Sequence, residues 1–231
     1  MPITNFKTVA NFSDGIITVK ECNGFAWGGR FGLTGNVSVK PFSANVSLSI
    51  ANILASEFFT HALDNKNISG YLSVSAGFST LGKSIYELIS NLYGNFEIAG
   101  KDISLTGFDV EKIILAAANV NPQKKYNMNE LTDLLSQLFT GTTVFHDVSA
   151  SLSSVQSILQ VTKLSCQSTN SNGSLNGNID LRNLDSSLAA SFVFSPAAGN
   201  NPVHLPIELR GQLNALNPKV NSDELREYMV K

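Results

Sequence analysis

The chain has 231 residues, of which 43% are hydrophobic and only 15% charged, with a formal net charge of -2 and a sequence pI near 5.9. Nucleic-acid binding needs clustered Lys and Arg to displace phosphate counterions; Lys124-Lys125 is the only basic doublet, so that class is set aside. No run reaches the roughly 20 apolar residues needed to span a bilayer, and residues 1–15 lack a cationic segment followed by an apolar core. Strand-like sequence (Phe6, Val9) follows Met1 directly, which suggests a fragment whose membrane anchor or signal lies upstream.

Alternation of apolar with small polar residues dominates, as in antiparallel strands with one apolar and one polar face. With so few charges, the polar face must be built from Ser, Thr and Asn. Gly24 to Gly35 is glycine-rich, yet no typical helix follows to cradle a phosphate, so Gly28-Gly29 is read as bending a strand or hairpin. Val37 and Val39, then Val46, Leu48 and Ile50, flank Pro41, whose fixed φ and missing donor suit a turn between two strands. Leu72, Val74, Ala76 and Phe78 alternate after Gly70, and Phe96, Ile98, Ile103 and Leu105 read as a hairpin around Gly100-Lys101-Asp102.

The period then changes. Leu81, Ile85, Leu88, Ile89 and Leu92 share one helical face, Ser84 and Glu87 have capping-box spacing, and Gly94 supplies a stop. A second helix is predicted from Asp109 through Val110, Ile113, Ile114 and Ala117 to Asn121-Pro122. A third is predicted through Leu131, Leu134, Leu135 and Leu138 to Gly141. Their apolar stripes are expected to pack on the sheet, since few Lys or Arg mark the polar faces as membrane-surface helices. Strand patterns resume at Leu159 and Val161, Leu175, Ile179 and Leu181, Phe192 and Phe194, and Leu205, Ile207 and Leu209; a last helical stretch opens at Asp223 and Glu224.

An internal echo links the two ends. Ile17-Thr18-Val19 and Gly35-Asn36-Val37 recur 142 positions later as Leu159-Gln160-Val161 and Gly177-Asn178-Ile179, with Leu33 and Val39 answered by Leu175 and Leu181. It reads either as two hairpins obeying the same turn chemistry or as stacked copies of one β-unit.

Chemistry is sparse. His61, His146 and His204 have no second ligand at zinc-site spacing, and no nucleophile elbow, Walker loop or dinucleotide fingerprint is present. No catalytic residue, metal or cofactor is assigned, and the chain is not expected to be an enzyme. Cys22 and Cys166 either pair in an oxidising compartment or remain free thiols in neighbouring strands.

The order of elements resembles the C-terminal region of the AsmA family. Asn67-Ile68-Ser69-Gly70-Tyr71-Leu72 leads through Ser79-Thr80-Leu81-Gly82-Lys83-Ser84 and a helix to Leu92-Tyr93-Gly94-Asn95-Phe96. Ile103 to Val110, Gly141 to Val148 and Gly173 to Leu181 are similar to later family motifs. Pro206 to Leu213 with Asn217-Pro218 is similar to the closing one, Gln212 standing where the family usually has Thr. The resemblance covers 67 to about 222, with 14–52 similar to a preceding β-unit. It implies a periplasmic location, an inner-membrane anchor elsewhere in the full chain, and a role in outer-membrane assembly or phospholipid movement between membranes. Large members form long β-grooves with an apolar floor that offers acyl chains a path.

The expected architecture is therefore mainly β (α+β): a curved antiparallel sheet or β-groove with about three short amphipathic helices packed on or capping it. Residues 1–52 form a preceding β-unit and 53–231 the AsmA-like C-terminal domain, with helices near 81–93, 109–120 and 128–140. The expected partner is a phospholipid or other acyl-chain lipid on a floor of Val37, Val39, Val46, Leu48, Ile50, Leu72, Val74, Phe78, Phe192 and Phe194. The alternative is a capping or docking end-piece that binds an envelope protein by strand addition and carries no lipid.

Overall fold

A computed structural model describes residues 3–118, 128–195 and 202–229. Its twelve strands are β1 (Thr4–Ser13), β2 (Ile16–Ala26), β3 (Gly29–Val39), β4 (Phe42–Leu54), β5 (Ile68–Leu81), β6 (Tyr93–Thr106), β7 (Thr142–Val155), β8 (Ile158–Gln167), β9 (Ser171–Asp180), β10 (Asp185–Phe194), β11 (Val203–Gln212) and β12 (Asn217–Val220). They form one open, curved antiparallel sheet in sequence order, every strand beside its chain neighbours. Position 52, the expected end of the first β-unit, falls inside β4.

The sheet has two unlike ends. Every odd-to-even connection is at one end, where most turns are tight; every even-to-odd connection is at the other. That second end carries α1 (Ala55–Leu63) after β4, α3 (Val110–Ala118) and α4 (Met128–Leu138) after β6, and α5 (Asp223–Met229) after β12. Among the described residues only α2 (Ile85–Ser90) stands at the hairpin end.

The described residues thus hold five helices rather than about three. The helix expected over 81–93 is a short turn: Leu81 ends β5 at 60% exposure, and α2 buries none of its residues. Half of the expected capping box is present: Ser84 Oγ accepts from Glu87 N at 3.2 Å, while Glu87 Oε2 accepts from Lys83 N, one residue before the cap, at 2.7 Å. The helix from Asp109 is α3, whose Val110, Ile113 and Ile114 are buried against the sheet; its expected end at Asn121-Pro122 lies outside the described residues. α1 carries no sequence signal at its start, because Leu54 at its N-cap offers no side-chain acceptor. Tertiary packing holds it: Phe58 sits edge-on to Trp27 at 5.5 Å.

The hairpin expected at Gly100-Lys101-Asp102 does not exist. Residues 93–106 are one strand, and the pairing with β5 shifts register between Ser69 and Tyr71. Asp102, at φ 50°, is the bulged residue; Asp tolerates this left-handed conformation better than most. The extra residue returns Ile103 to the side occupied by Ile98, so apolar parity changes along the sequence while the face stays the same. The same device sits in β4, where Asn52 (φ 54°) separates Ile50 from Ile53, and register shifts recur at β2 and β8. Such bulges add twist and bend a long sheet.

The sequence echo is structural. Val19 pairs with Gly35 and Val161 with Gly177; one bulge later Cys22 pairs with Leu33 and Leu164 with Leu175. Each residue of the second set lies 142 positions beyond its counterpart, bulge included. The cysteines are free and half-buried, not in neighbouring strands but on β2 and β8.

Candidate functional site

In an antiparallel pair, directly opposite residues share a face, so the registers trace two ladders across the sheet. Phe31, Ile50, Val74, Ile98, Ala150, Leu164, Leu175, Ala190, Ile207 and Val220 face each other in succession from β3 to β12. On the opposite face run Thr34, Ser47, Gly77, Asn95, Ser153, Gln160, Asn178, Ser187 and Arg210. One side of the trough is apolar in every one of these strands. The other meets water mainly through neutral hydrogen-bonding groups, Arg210 being the charged member of this ladder, which accounts for the low charge content.

Helices cover the apolar face at one end. Ile53, Leu72, Ile103, Phe145, Phe192 and Leu205 of the sheet join Val110, Ile113, Leu138 and Leu225 of the helices in a single buried cluster. Polar clasps fix the cap. Thr143 Oγ1 accepts from Val110 N at 3.0 Å and donates to Phe108 O at 2.8 Å, while Asp109 N donates to Leu138 O at 2.7 Å. Asp109 Oδ1 accepts from Lys112 N at 3.2 Å, capping α3 with its carboxylate where the helix dipole favours negative charge.

Inside the curl, next to the cap, lies a cavity of about 380 Å³. Its walls come from Ile103 and Leu105 of β6, Phe108, Phe145 of β7, Leu164 and Cys166 of β8, Leu175 of β9, Phe192 of β10, Leu209 of β11 and Pro218 of β12. With Ile68 of β5, eight strands therefore contribute walls to one apolar volume. Burial pushes the Cys166 thiol up to about 11, keeping it a neutral part of that wall.

The expected floor residues divide between places. Val37, Val46, Leu48, Ile50, Leu72, Val74 and Phe78 share the inner face, with Val46 and Leu72 buried and Phe78 stacked on Phe96 at 6.3 Å. Val39 sits at the β3–β4 turn, 47% exposed. Phe192 lines the cavity beside Phe108, while Phe194 is buried at the capped end. The cavity walls on β6 to β9 were not among the expected floor residues. Their signal was the parity switch at each bulge, Ile98 to Ile103 and Val161 to Leu164.

Ionisable groups lie mainly elsewhere. His146 lies on the outer face, its Nδ1 3.3 Å from Asp102 Oδ1 and its Nε2 3.4 Å from Thr169 Oγ1, more than half exposed. Among the described residues no three His, Cys, Asp or Glu side chains converge as metal ligands, and no helix is long and apolar enough to cross a membrane.

An open antiparallel trough with an apolar inner face, capped by helices at one end, defines a β-groove protein. The AsmA family model matches residues 1–164, and the chain belongs to the AsmA family. Membership implies association with the bacterial envelope. Neither the curated proteins nor the solved structures compared with this chain gave a match.

Proposed function

We propose that this chain is a non-enzymatic periplasmic module that presents its apolar groove to the acyl chains of phospholipid. It would serve outer-membrane assembly or phospholipid movement between membranes, within a longer protein anchored at the inner membrane. One observation carries the reading: the inner ladder from Phe31 to Val220 is apolar at every strand, and the helices bury it only at one end. An apolar surface of that extent requires a cover, and where protein does not supply it an acyl chain can. The cavity of about 380 Å³ falls at the low end of the roughly 300–1,000 Å³ range of small-molecule sites, room for one chain rather than a whole lipid.

The test is native mass spectrometry with lipid extraction on protein purified from an envelope-containing lysate. Wild type is compared with a folded Val74→Asp, Phe78→Asp double variant. Bound phospholipid that the variant loses supports the groove. Lipid-free wild type sinks it and favours the second reading, an end-piece that caps the groove and docks a partner. The observation behind that reading is β1, a ten-residue edge strand hydrogen-bonded on one side only.

A further inference from the structure

We infer that the hairpin end of the trough is a membrane-docking rim, whose turn residues insert into the interfacial layer of a lipid bilayer. The inference rests on the lipid-groove reading for its direction, since it places the end of the groove opposite the α1, α3, α4 and α5 cap against the bilayer. Each of the first four turns at this end holds exposed apolar side chains: Phe12 (70%) at β1–β2, Val39 (47%) at β3–β4, Ile85 (77%) and Tyr86 (63%) on α2, and Val155 (50%) at β7–β8. These turns terminate eight adjacent strands. At a strand spacing of about 4.8 Å, the row is roughly 35 Å long.

Charge distinguishes this end from the other. The capped end also exposes Tyr71, Leu115 and Phe139, but it carries the ion pairs Lys101–Asp147, His146–Asp102 and Lys112–Asp109. Among the described residues no ion pair lies at the first four hairpin turns. There Lys40 and Lys83 offset Asp14 and Glu87, leaving no net charge. Beyond the row, at the β9–β10 turn, lies the Arg182–Asp180 ion pair, whose Arg182 also donates to the Tyr86 side chain on α2.

A line of separate apolar tips has no contiguous face for a protein partner to cover, whereas a bilayer accepts each tip without shape matching. Tyr86, whose side-chain oxygen accepts from Arg182, suits the headgroup layer, with its ring towards hydrocarbon and its hydroxyl at the polar boundary. Without a basic patch, attraction to anionic lipid contributes little, so binding should depend on apolar insertion and survive salt.

The molecule contains an orientation probe. Trp27, the single tryptophan, lies in the β2–β3 turn at the capped end. Purified protein is mixed with phosphatidylcholine vesicles, with and without brominated acyl chains. Comparison is made with Val155→Trp in a Trp27→Phe background and with a Phe12→Ser, Val39→Ser, Ile85→Ser variant. The expected result is vesicle binding unchanged by about 0.5 M salt. Quenching should occur for the Val155→Trp probe and not for Trp27, and the triple variant should lose at least about tenfold in partitioning. Quenching of Trp27 instead, or binding only to anionic vesicles at low salt, overturns the rim. Co-purified lipid without vesicle binding also overturns it while leaving the groove standing; vesicle binding by lipid-free protein supports the rim and removes the groove.

Discussion

The carboxylate of Glu111 accepts a hydrogen bond from the side-chain amide of Asn170 at 2.7 Å, tying the first turn of α3 to the β8–β9 turn. The same carboxylate accepts from Ser168 Oγ at 2.5 Å, and Ser168 is itself buried. A helix inserted between β6 and β7 is thereby pinned two strands further along, across the mouth it closes. The residue does more than complement the helix dipole.

Glu111→Ala removes both acceptors and leaves the Ser168 hydroxyl with fewer partners. Charge-assisted hydrogen bonds contribute about 1.5–3 kcal/mol, so the expected loss is about 2 kcal/mol. Urea unfolding should show a lower midpoint at unchanged slope, and hydrogen exchange should quicken in α3 before it does in β3 or β4. Equal exchange throughout would mean that the clasp does not hold the cap.

Gly35 and Gly177 are equivalent positions of the repeat, with φ of 153° and 137°. A methyl group at Gly35 would overlap the Asn45 carbonyl oxygen, and one at Gly177 the Ser187 carbonyl oxygen. Gly35→Ala and Gly177→Ala should each cost about 3 kcal/mol, because backbone strain and a clash with a paired strand add. Gly32→Ala, with nothing within 4 Å of the added carbon and no positive φ, should stay within about 1 kcal/mol of wild type. Similar costs for all three, by denaturant midpoint, would remove the argument for close approach.

Asp180 is held at about 2, below its ordinary 3.8, chiefly by the Arg182 side chain: Nη2 to Oδ2 is 2.6 Å and Nε to Oδ1 2.9 Å. A depressed carboxylate stabilises the fold above its unfolded value and loses that contribution as pH falls through its folded one. Whatever the pair contributes is therefore complete above about pH 4 and disappears towards pH 2. Carboxyl NMR titration of Arg182→Gln should return the Asp180 midpoint towards 3.8; an unmoved midpoint would assign the depression to the local backbone instead.

Much of the sheet was legible in the sequence because antiparallel strands with one wet face must alternate. The alternation around Pro41, the run from Leu72 to Phe78 and the repeat of Gly35 in Gly177 each correspond to a strand or register in the structure. α3 was legible too, since Val110, Ile113 and Ile114 keep helical spacing after an acidic cap. Membership of the AsmA family was visible in the short motifs between Asn67 and Val148, which lie within the matched residues 1–164; those at Gly173–Leu181 and Pro206–Pro218 lie beyond the match.

Only the tertiary structure decided the rest. A bulge and a hairpin leave the same sequence trace, a break in parity around a small or Asp-containing step, and only the partner strand tells them apart, as at Asp102. α1 follows β4 without a cap because Trp27, far away in sequence, supplies the contact that holds Phe58. The cavity exists because bulged strands bend, bringing Leu105 of β6 and Pro218 of β12 onto one wall-lined volume. Curvature is a sum over all the strands between them, so no local pattern records it.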